Sequence, residues 1–142
     1  MGFRGEELVG RRTKARECAL QMLYQWGRTG EPVETVAETF WRVRTTTDET
    51  RAMAERLFTG TARHAEAIDA AIVGTLVNWR FERVADVDKA VLRLGAYELM
   101  QEPQTPMAVV IDEAVELAKR FSEADSPSFV NGVLDALGKK VR

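Results

Sequence analysis

Basic side chains are concentrated near the start of the sequence, where they could bind a polyanion. Residues 4–16 include five basic and two acidic side chains, a local charge of +3, whereas the whole chain has a net charge of −2. A protein that is basic at one end and acidic elsewhere often binds a polyanion with that end. The candidate contacts are Arg11, Arg12, Lys14 and Arg16. Charge alone leaves open a solvated N-terminal segment without a ligand.

Two aromatic residues and one carboxylate extend this candidate site. Phe129 falls in the first turn of the last predicted helix, beside free N–H groups that favour anions. Aromatic rings next to a phosphate site stack on single-stranded bases, at about 1–3 kcal/mol per base. We therefore predict Phe129 to be an exposed stacking platform rather than a core residue, with Tyr24 as a second ring. Asp88 either supports the start of its helix or accepts a hydrogen bond from a base or a partner.

Residues for catalysis or metal binding are scarce. The chain has a single histidine, His64, and a single cysteine, Cys18, so no His-rich or Cys-rich ligand set can form. Cys18 falls on an apolar helical stripe, which predicts a buried, inert thiol. Glu98 also falls within an apolar stripe, where we expect it to be paired with an arginine or a helix end rather than to act as an acid or base. We predict no enzymatic activity, no metal and no cofactor.

The elements that position these residues are predicted to be helices. Apolar residues recur at helical spacing almost throughout, which favours an all-α fold of six or seven helices. The first helix is predicted over residues 11–28, after a basic N-terminal arm over residues 1–12. Three predicted N-caps open later helices: Thr46 in a capping box with Glu49, Thr105 before Pro106, and Ser126 before Pro127.

Length and composition indicate one globular domain in the cytoplasm. The 142 residues, 45% of them hydrophobic, are enough to form a core. No apolar run approaches the roughly 18–20 residues of a membrane span, and the first 30 residues do not have the pattern of a secretory signal. A single cysteine fits a reducing compartment.

Several segments together resemble the NusB family of bacterial transcription antitermination factors. They occur in the family's order and cover nearly the whole chain. The matching segments are A-R-E-C-A-L-Q-M-L-Y-Q-W at 15–26, D-K-A-V-L-R at 88–93, Y-E-L at 97–99, I-D-E-A-V-E-L-A-K-R-F at 111–121, and F-V-N-G-V-L-D at 129–135. The last segment, after an E-A-V-E-L-A-K helix, is the most specific.

The resemblance implies an all-α fold of about seven helices in two small packed bundles, and binding rather than catalysis. Proteins of this kind pair with NusE, a small-subunit ribosomal protein, and bind the single-stranded box A element of nascent RNA within an RNA polymerase antitermination complex. The family's RNA contacts correspond to Arg12, Lys14, Arg16, Tyr24, Asp88, Asp125 and Phe129. The family often has Glu at the position of Asp88, and Thr13 interrupts the basic run, which bears on the strength of binding.

Three other classes remain as alternatives. The same helical domain resembles the N-terminal part of an rRNA cytosine methyltransferase, but that enzyme needs a catalytic domain for which this sequence has no segment. A DNA-binding helical regulator would need a basic recognition helix, whereas the helix after Thr105 has a mostly acidic face. A purely structural helical dimer would show no response to nucleic acid.

Overall fold

The computed structural model describes the backbone of residues 2–142 and the side chains of residues 10–142, and all its regular structure is helical. The seven α-helices are α1 (Gly2–Thr29), α2 (Val33–Arg42), α3 (Asp48–Arg63), α4 (Ala65–Val73), α5 (Asp86–Gln101), α6 (Met107–Phe121) and α7 (Ser126–Val141). A short 3₁₀ turn, Phe81–Arg83, precedes α5. This architecture confirms the predicted all-α fold of about seven helices.

Helix α5 lies at the centre of the fold. It packs against α1, α3, α4, α6 and α7, and most of its side chains are buried. A helix that is buried on nearly all sides has to be surrounded by other helices. The buried apolar side chains of the described residues form one continuous cluster, and α5 connects its two halves.

Helix α1 begins earlier than the sequence pattern predicted. The predicted start was residue 11, whereas the helix begins at Gly2. No proline interrupts this segment, and Glu and Leu within it favour a helix, so the turns can continue toward the N-terminus. The predicted basic arm over residues 1–12 lies mostly outside the described side chains, which begin at Gly10.

All three predicted N-caps are wrong by one residue. Thr47, not Thr46, caps α3, and its hydroxyl accepts a hydrogen bond from the Thr50 N–H at 3.2 Å. Pro106 takes the cap position of α6. Asp125 takes that of α7, because the hydroxyl of Ser126 instead donates to Asp88 at 2.8 Å. Only the shift at Ser126 involves a partner from another helix, and the other two lie within the one or two residues by which helix ends vary.

One close approach between α3 and α5 depends on a glycine. A Cβ atom built on Gly60 would lie 2.3 Å from the hydroxyl oxygen and 2.4 Å from Cζ of Tyr97. The ring of Tyr97 is itself buried, at 7% exposure. The two helices can therefore pack at this point only because Gly60 has no side chain.

Candidate nucleic-acid interface

One side of α1 carries cationic, amide and aromatic side chains. Lys14, Gln21, Tyr24 and Arg28 fall within about 80° of one another when each residue turns the helix by about 100°. Lys14 and Arg28 are exposed, and Tyr24 is 36% exposed. The guanidinium of Arg28 lies 5.5 Å from the centre of the Tyr24 ring, in the range of a cation–π contact. We call this set of four residues the α1 face.

The other basic residues near the start of α1 do not share this face. Arg12 is exposed, but it lies two positions from Lys14 and therefore on the opposite side of the helix. Arg11 is half-buried and forms an ion pair with Glu49 of α3. The four candidate cations of the sequence thus point in different directions, and only Lys14 belongs to the α1 face.

Arg16, a candidate polyanion contact in the sequence, is buried and has a structural role. It is 2% exposed and binds the carboxylate of Glu98 in α5 through two nitrogens, at 2.9 Å from Nε and 2.8 Å from Nη2. Burial alone would lower the pKa of Arg16, but the hydrogen bonds and negative charges of Glu98 and Glu113 outweigh it and raise the pKa. The predicted structural role of Glu98, with an arginine as partner, is confirmed.

The same network fixes α1 against α6. The third side-chain nitrogen of Arg16, Nη1, donates a hydrogen bond to Oε1 of Glu113 at 3.0 Å, and the same oxygen accepts one from the Thr13 hydroxyl at 2.7 Å. The next residue, Glu17, forms an ion pair with Arg120 of α6. These contacts set the rotation of α1 about its axis, and so they determine which residues the α1 face presents to solvent.

Two open clefts border the α1 face. The larger, of about 730 Å³, lies beside Lys14 and is also lined by Arg11, Arg120 and the Thr45–Thr47 segment. The smaller, of about 430 Å³, lies between α1 and α2 beside Tyr24 and Arg28. Clefts with cations and an aromatic ring are suited to a flexible polyanion with stacking bases.

Asp88 joins three helix ends instead of pointing to solvent. It is 7% exposed in the first turn of α5, and its two oxygens accept hydrogen bonds from Ser122 at 2.6 Å and Ser126 at 2.8 Å. Ser122 follows α6 and Ser126 begins α7, so the carboxylate holds these segments together. Its burial and these two hydrogen bonds give Asp88 a structural role between helix ends, a contact that the sequence did not indicate.

Phe129 is half-buried, which differs from the exposed platform that the sequence suggested. Its ring packs against the core and lies 5.0 Å from the ring of Trp79, centre to centre, at an angle of 46°. Trp79 is the more exposed of the pair, at 57%. It follows Asn78, whose φ of 63° turns the chain before the 3₁₀ turn. Asp125, one turn before Phe129, is exposed.

Sequence reasoning missed Trp79, Arg28 and Arg44 as possible contacts. Trp79 lies in a loop without helical periodicity, so no stripe marked it. Arg28 and Arg44 lie outside the basic cluster, and each follows by four residues the aromatic ring that it contacts, Tyr24 for Arg28 and Phe40 for Arg44. This spacing from an aromatic residue was the signal that the sequence offered for the two arginines.

Other candidate chemistry is limited in the described part of the chain. Cys18 is buried as predicted, and burial raises the pKa of its thiol despite the opposing charges of Lys14 and Arg44. His64 is exposed and contacts the backbone oxygen of Gly60 at 2.8 Å. Among the described residues, no three His, Cys, Asp or Glu side chains are grouped so that they could hold a metal ion. From residue 2 to residue 142, no helix has the length and apolar character to span a bilayer.

These features are those of an all-helical binding protein with charged and aromatic side chains around its first helix. Residues 13–139 match the model of the NusB family. The sequence is 47% identical over 133 residues to transcription antitermination protein NusB of Sorangium cellulosum, covering 94% of this chain and 95% of that protein. It is 48% identical over 126 residues to the protein of the same name from Streptomyces griseus, covering 87% and 88%. The chain belongs to the NusB family.

Solved structures of related proteins have the same fold. NusB of T. maritima superposes with a TM-score of 0.83 at 35% identity, with 91% of each chain covered. A NusB chain from a crystal structure of antitermination factors NusB and NusE in complex with double-stranded RNA superposes with a TM-score of 0.84 at 29% identity. That match covers 92% of this chain and 97% of the other.

Proposed function

We propose that this chain is a non-catalytic, cytoplasmic transcription antitermination factor that binds single-stranded box A RNA of nascent transcripts, notably rRNA, together with NusE. It acts as one RNA-binding domain within an RNA polymerase antitermination complex. The observation that carries the proposal is the α1 face, where Lys14, Tyr24 and Arg28 offer cations and a stacking ring on one side of a rigid helix. The structural neighbour that contains NusB, NusE and double-stranded RNA supports RNA as the class of ligand and NusE as the partner.

The RNA surface that we propose differs from the set implied by the resemblance. Lys14 and Tyr24 are its centre, and Arg11, Arg12, Asp125 and Phe129 are peripheral candidates. Arg16 and Asp88 are buried and act by positioning: Arg16 sets the rotation of α1, and Asp88 holds the start of α7. A protein with so few free cations binds RNA weakly alone, and NusE adds contacts that increase the affinity.

Lys14→Ala and Tyr24→Ala are expected to weaken RNA binding without unfolding the protein. Loss of one phosphate contact lowers the slope of log affinity against log salt by about 0.7 for a single strand. Loss of a stacking ring costs about 1–3 kcal/mol of affinity. Titrations of a single-stranded box A RNA at several salt concentrations, with and without NusE, measure both effects.

Lys139→Ala is the charge-matched control for Lys14→Ala, because Lys139 is exposed on α7 and pairs with Asp135. Equal losses for the two lysine variants would show that only net charge matters and would contradict the proposed surface. A box A duplex tested in parallel separates single-stranded from double-stranded recognition. If the wild-type protein with NusE binds neither RNA, the proposed function is wrong.

Phe129→Ala is expected to change both stability and RNA affinity. A half-buried ring should cost about 2 kcal/mol of stability, less than the roughly 3–5 kcal/mol of a fully buried phenylalanine. Phe129→Leu keeps the apolar packing and removes the aromatic face. If stacking matters, the Leu variant melts near the wild-type temperature and still loses RNA affinity. Wild-type RNA affinity in the Leu variant would assign Phe129 to packing alone.

A further inference from the structure

The groove between α1 and α2 combines cationic, amide and aromatic side chains, a combination that neither the basic cluster nor the sequence motifs indicated. Its volume is about 430 Å³, and its lining includes Gln21, Tyr24, Arg28, Phe40, Val43 and Arg44. Two of the lining residues are cationic and none is acidic, although the whole chain has a net charge of −2. The lining of this groove therefore carries only positive formal charge.

Arg44 is the cation of the groove with the fewest protein contacts. Its guanidinium lies 5.0 Å from the centre of the Phe40 ring, and among residues 10–142 it forms no ion pair with a carboxylate. Arg28, in contrast, pairs with Asp86 at 3.0 Å. An arginine held over an aromatic ring with its charge uncompensated can bind a phosphate without first breaking a salt bridge.

Arg44 also lies on the same side of the molecule as the α1 face. Arg44 lines the same groove as Tyr24 and Arg28 of the α1 face, and the positive charges of Lys14 and Arg44 both oppose the increase in the pKa of Cys18. The residues after Arg44, Thr45–Thr47, line the larger cleft beside Lys14. The two clefts therefore follow one another along α1, with Arg44 at the junction.

The walls of the groove also offer groups that could contact bases. Gln21 lines the groove, and its buried Oε1 has no hydrogen-bond partner among the described residues, so a small rotation of the amide would let it accept from a base N–H. The Tyr24 ring is partly exposed at the groove edge, and Val43 is 83% exposed at its mouth. Stacking, amide and apolar contacts beside a cation are the combination used for single-stranded nucleic acid.

We propose that this groove holds a segment of single-stranded RNA that continues past Lys14 and Tyr24, with Arg44 bound to a phosphate of that segment. The inference rests on the proposed function and extends its RNA path onto α2. A protein segment is the alternative occupant, but the absence of acidic lining residues and the uncompensated guanidinium favour a polyanion. RNA is the favoured polyanion because Gln21, Tyr24 and Arg28 of the groove belong to the α1 face, for which we propose RNA as the ligand.

The test compares Arg44→Gln with Arg42→Gln. Both changes remove one positive charge from neighbouring positions, but Arg42 pairs with Glu38 and does not line the groove. Gln keeps part of the side chain that covers Phe40, and thermal melting of both variants checks that they fold. Binding of a single-stranded box A RNA with several flanking nucleotides is then measured over a range of salt concentrations, without NusE and with it.

We expect Arg44→Gln to weaken RNA binding roughly 3- to 10-fold and to lower the salt slope by about 0.7, whereas Arg42→Gln changes affinity less than about twofold. Equal effects of the two variants, or no effect of Arg44→Gln, would overturn the inference about the groove. The proposed function would still stand in that case, provided that the wild-type protein binds the RNA. If Arg44→Gln loses binding of NusE but keeps binding of RNA, the groove belongs to a protein partner and the inference is overturned as well. No RNA binding by the wild-type protein would reject the proposed function itself.

Discussion

Replacing Glu98 by Ala is expected to lower the free energy of unfolding by about 3–5 kcal/mol. The substitution removes the carboxylate that accepts hydrogen bonds from Nε and Nη2 of Arg16, while the guanidinium stays buried at 2% exposure. Glu113 alone cannot replace both hydrogen bonds. A buried charge that loses its partner still has to be desolvated, which is the source of the cost. Chemical denaturation followed by circular dichroism measures the change.

Two controls separate the cost of leaving a buried charge unpaired from the cost of losing an ion pair in general. Glu38→Ala breaks the exposed pair with Arg42 and should cost less than about 1 kcal/mol. The double replacement Arg16→Met with Glu98→Leu removes both charges and should recover much of the stability lost in Glu98→Ala. A loss below about 1 kcal/mol for Glu98→Ala would mean that water reaches Arg16 and that the pair does not hold α1 in place.

Gly60→Ala is expected to destabilise the protein by about 1–3 kcal/mol, even though alanine is the better helix former. The added Cβ would lie 2.3 Å from the Tyr97 hydroxyl oxygen and 2.8 Å from Cε1, so the whole buried ring has to move. A rigid aromatic ring cannot relieve such a contact by turning one terminal bond, and α3 and α5 must separate. Thermal melting monitored by circular dichroism reports the loss.

Gly132 in α7 provides the matched control, because a Cβ built on it would meet no atom within 4 Å. The same change from Gly to Ala should there stabilise the helix by up to about 1 kcal/mol. The two variants are thus expected to shift the melting temperature in opposite directions. A stabilised Gly60→Ala variant would show that α3 and α5 can adjust their distance freely.

The sequence predicted those parts of the fold that depend on local spacing. The apolar stripes identified the helices, and the carboxylate of Glu98 within a stripe correctly indicated a buried pair. The sequence could not show that the partner is Arg16, because 82 residues separate the two. A basic residue in a basic cluster looks exposed until its helix is packed against another.

The candidate site was predicted less completely for the same physical reason. Tyr24 and Lys14 lie on one helix, so their common face follows from helical geometry. The contact between Phe129 and Trp79 joins α7 to a loop that has no periodicity, and the groove at Arg44 exists only where α2 lies against α1. Contacts between elements distant in sequence decide which side chains reach the surface together.

The ion-pair network of Arg16 also has a consequence for the order of folding during synthesis. Its partners Glu98 and Glu113 follow 82 and 97 residues later in the chain. At a translation rate of about 5–20 residues per second, Arg16 is synthesised roughly 5–20 s before both carboxylates have been made. Until then docking α1 would bury an unpaired guanidinium, so the first helix to be synthesised is among the last to reach its final position.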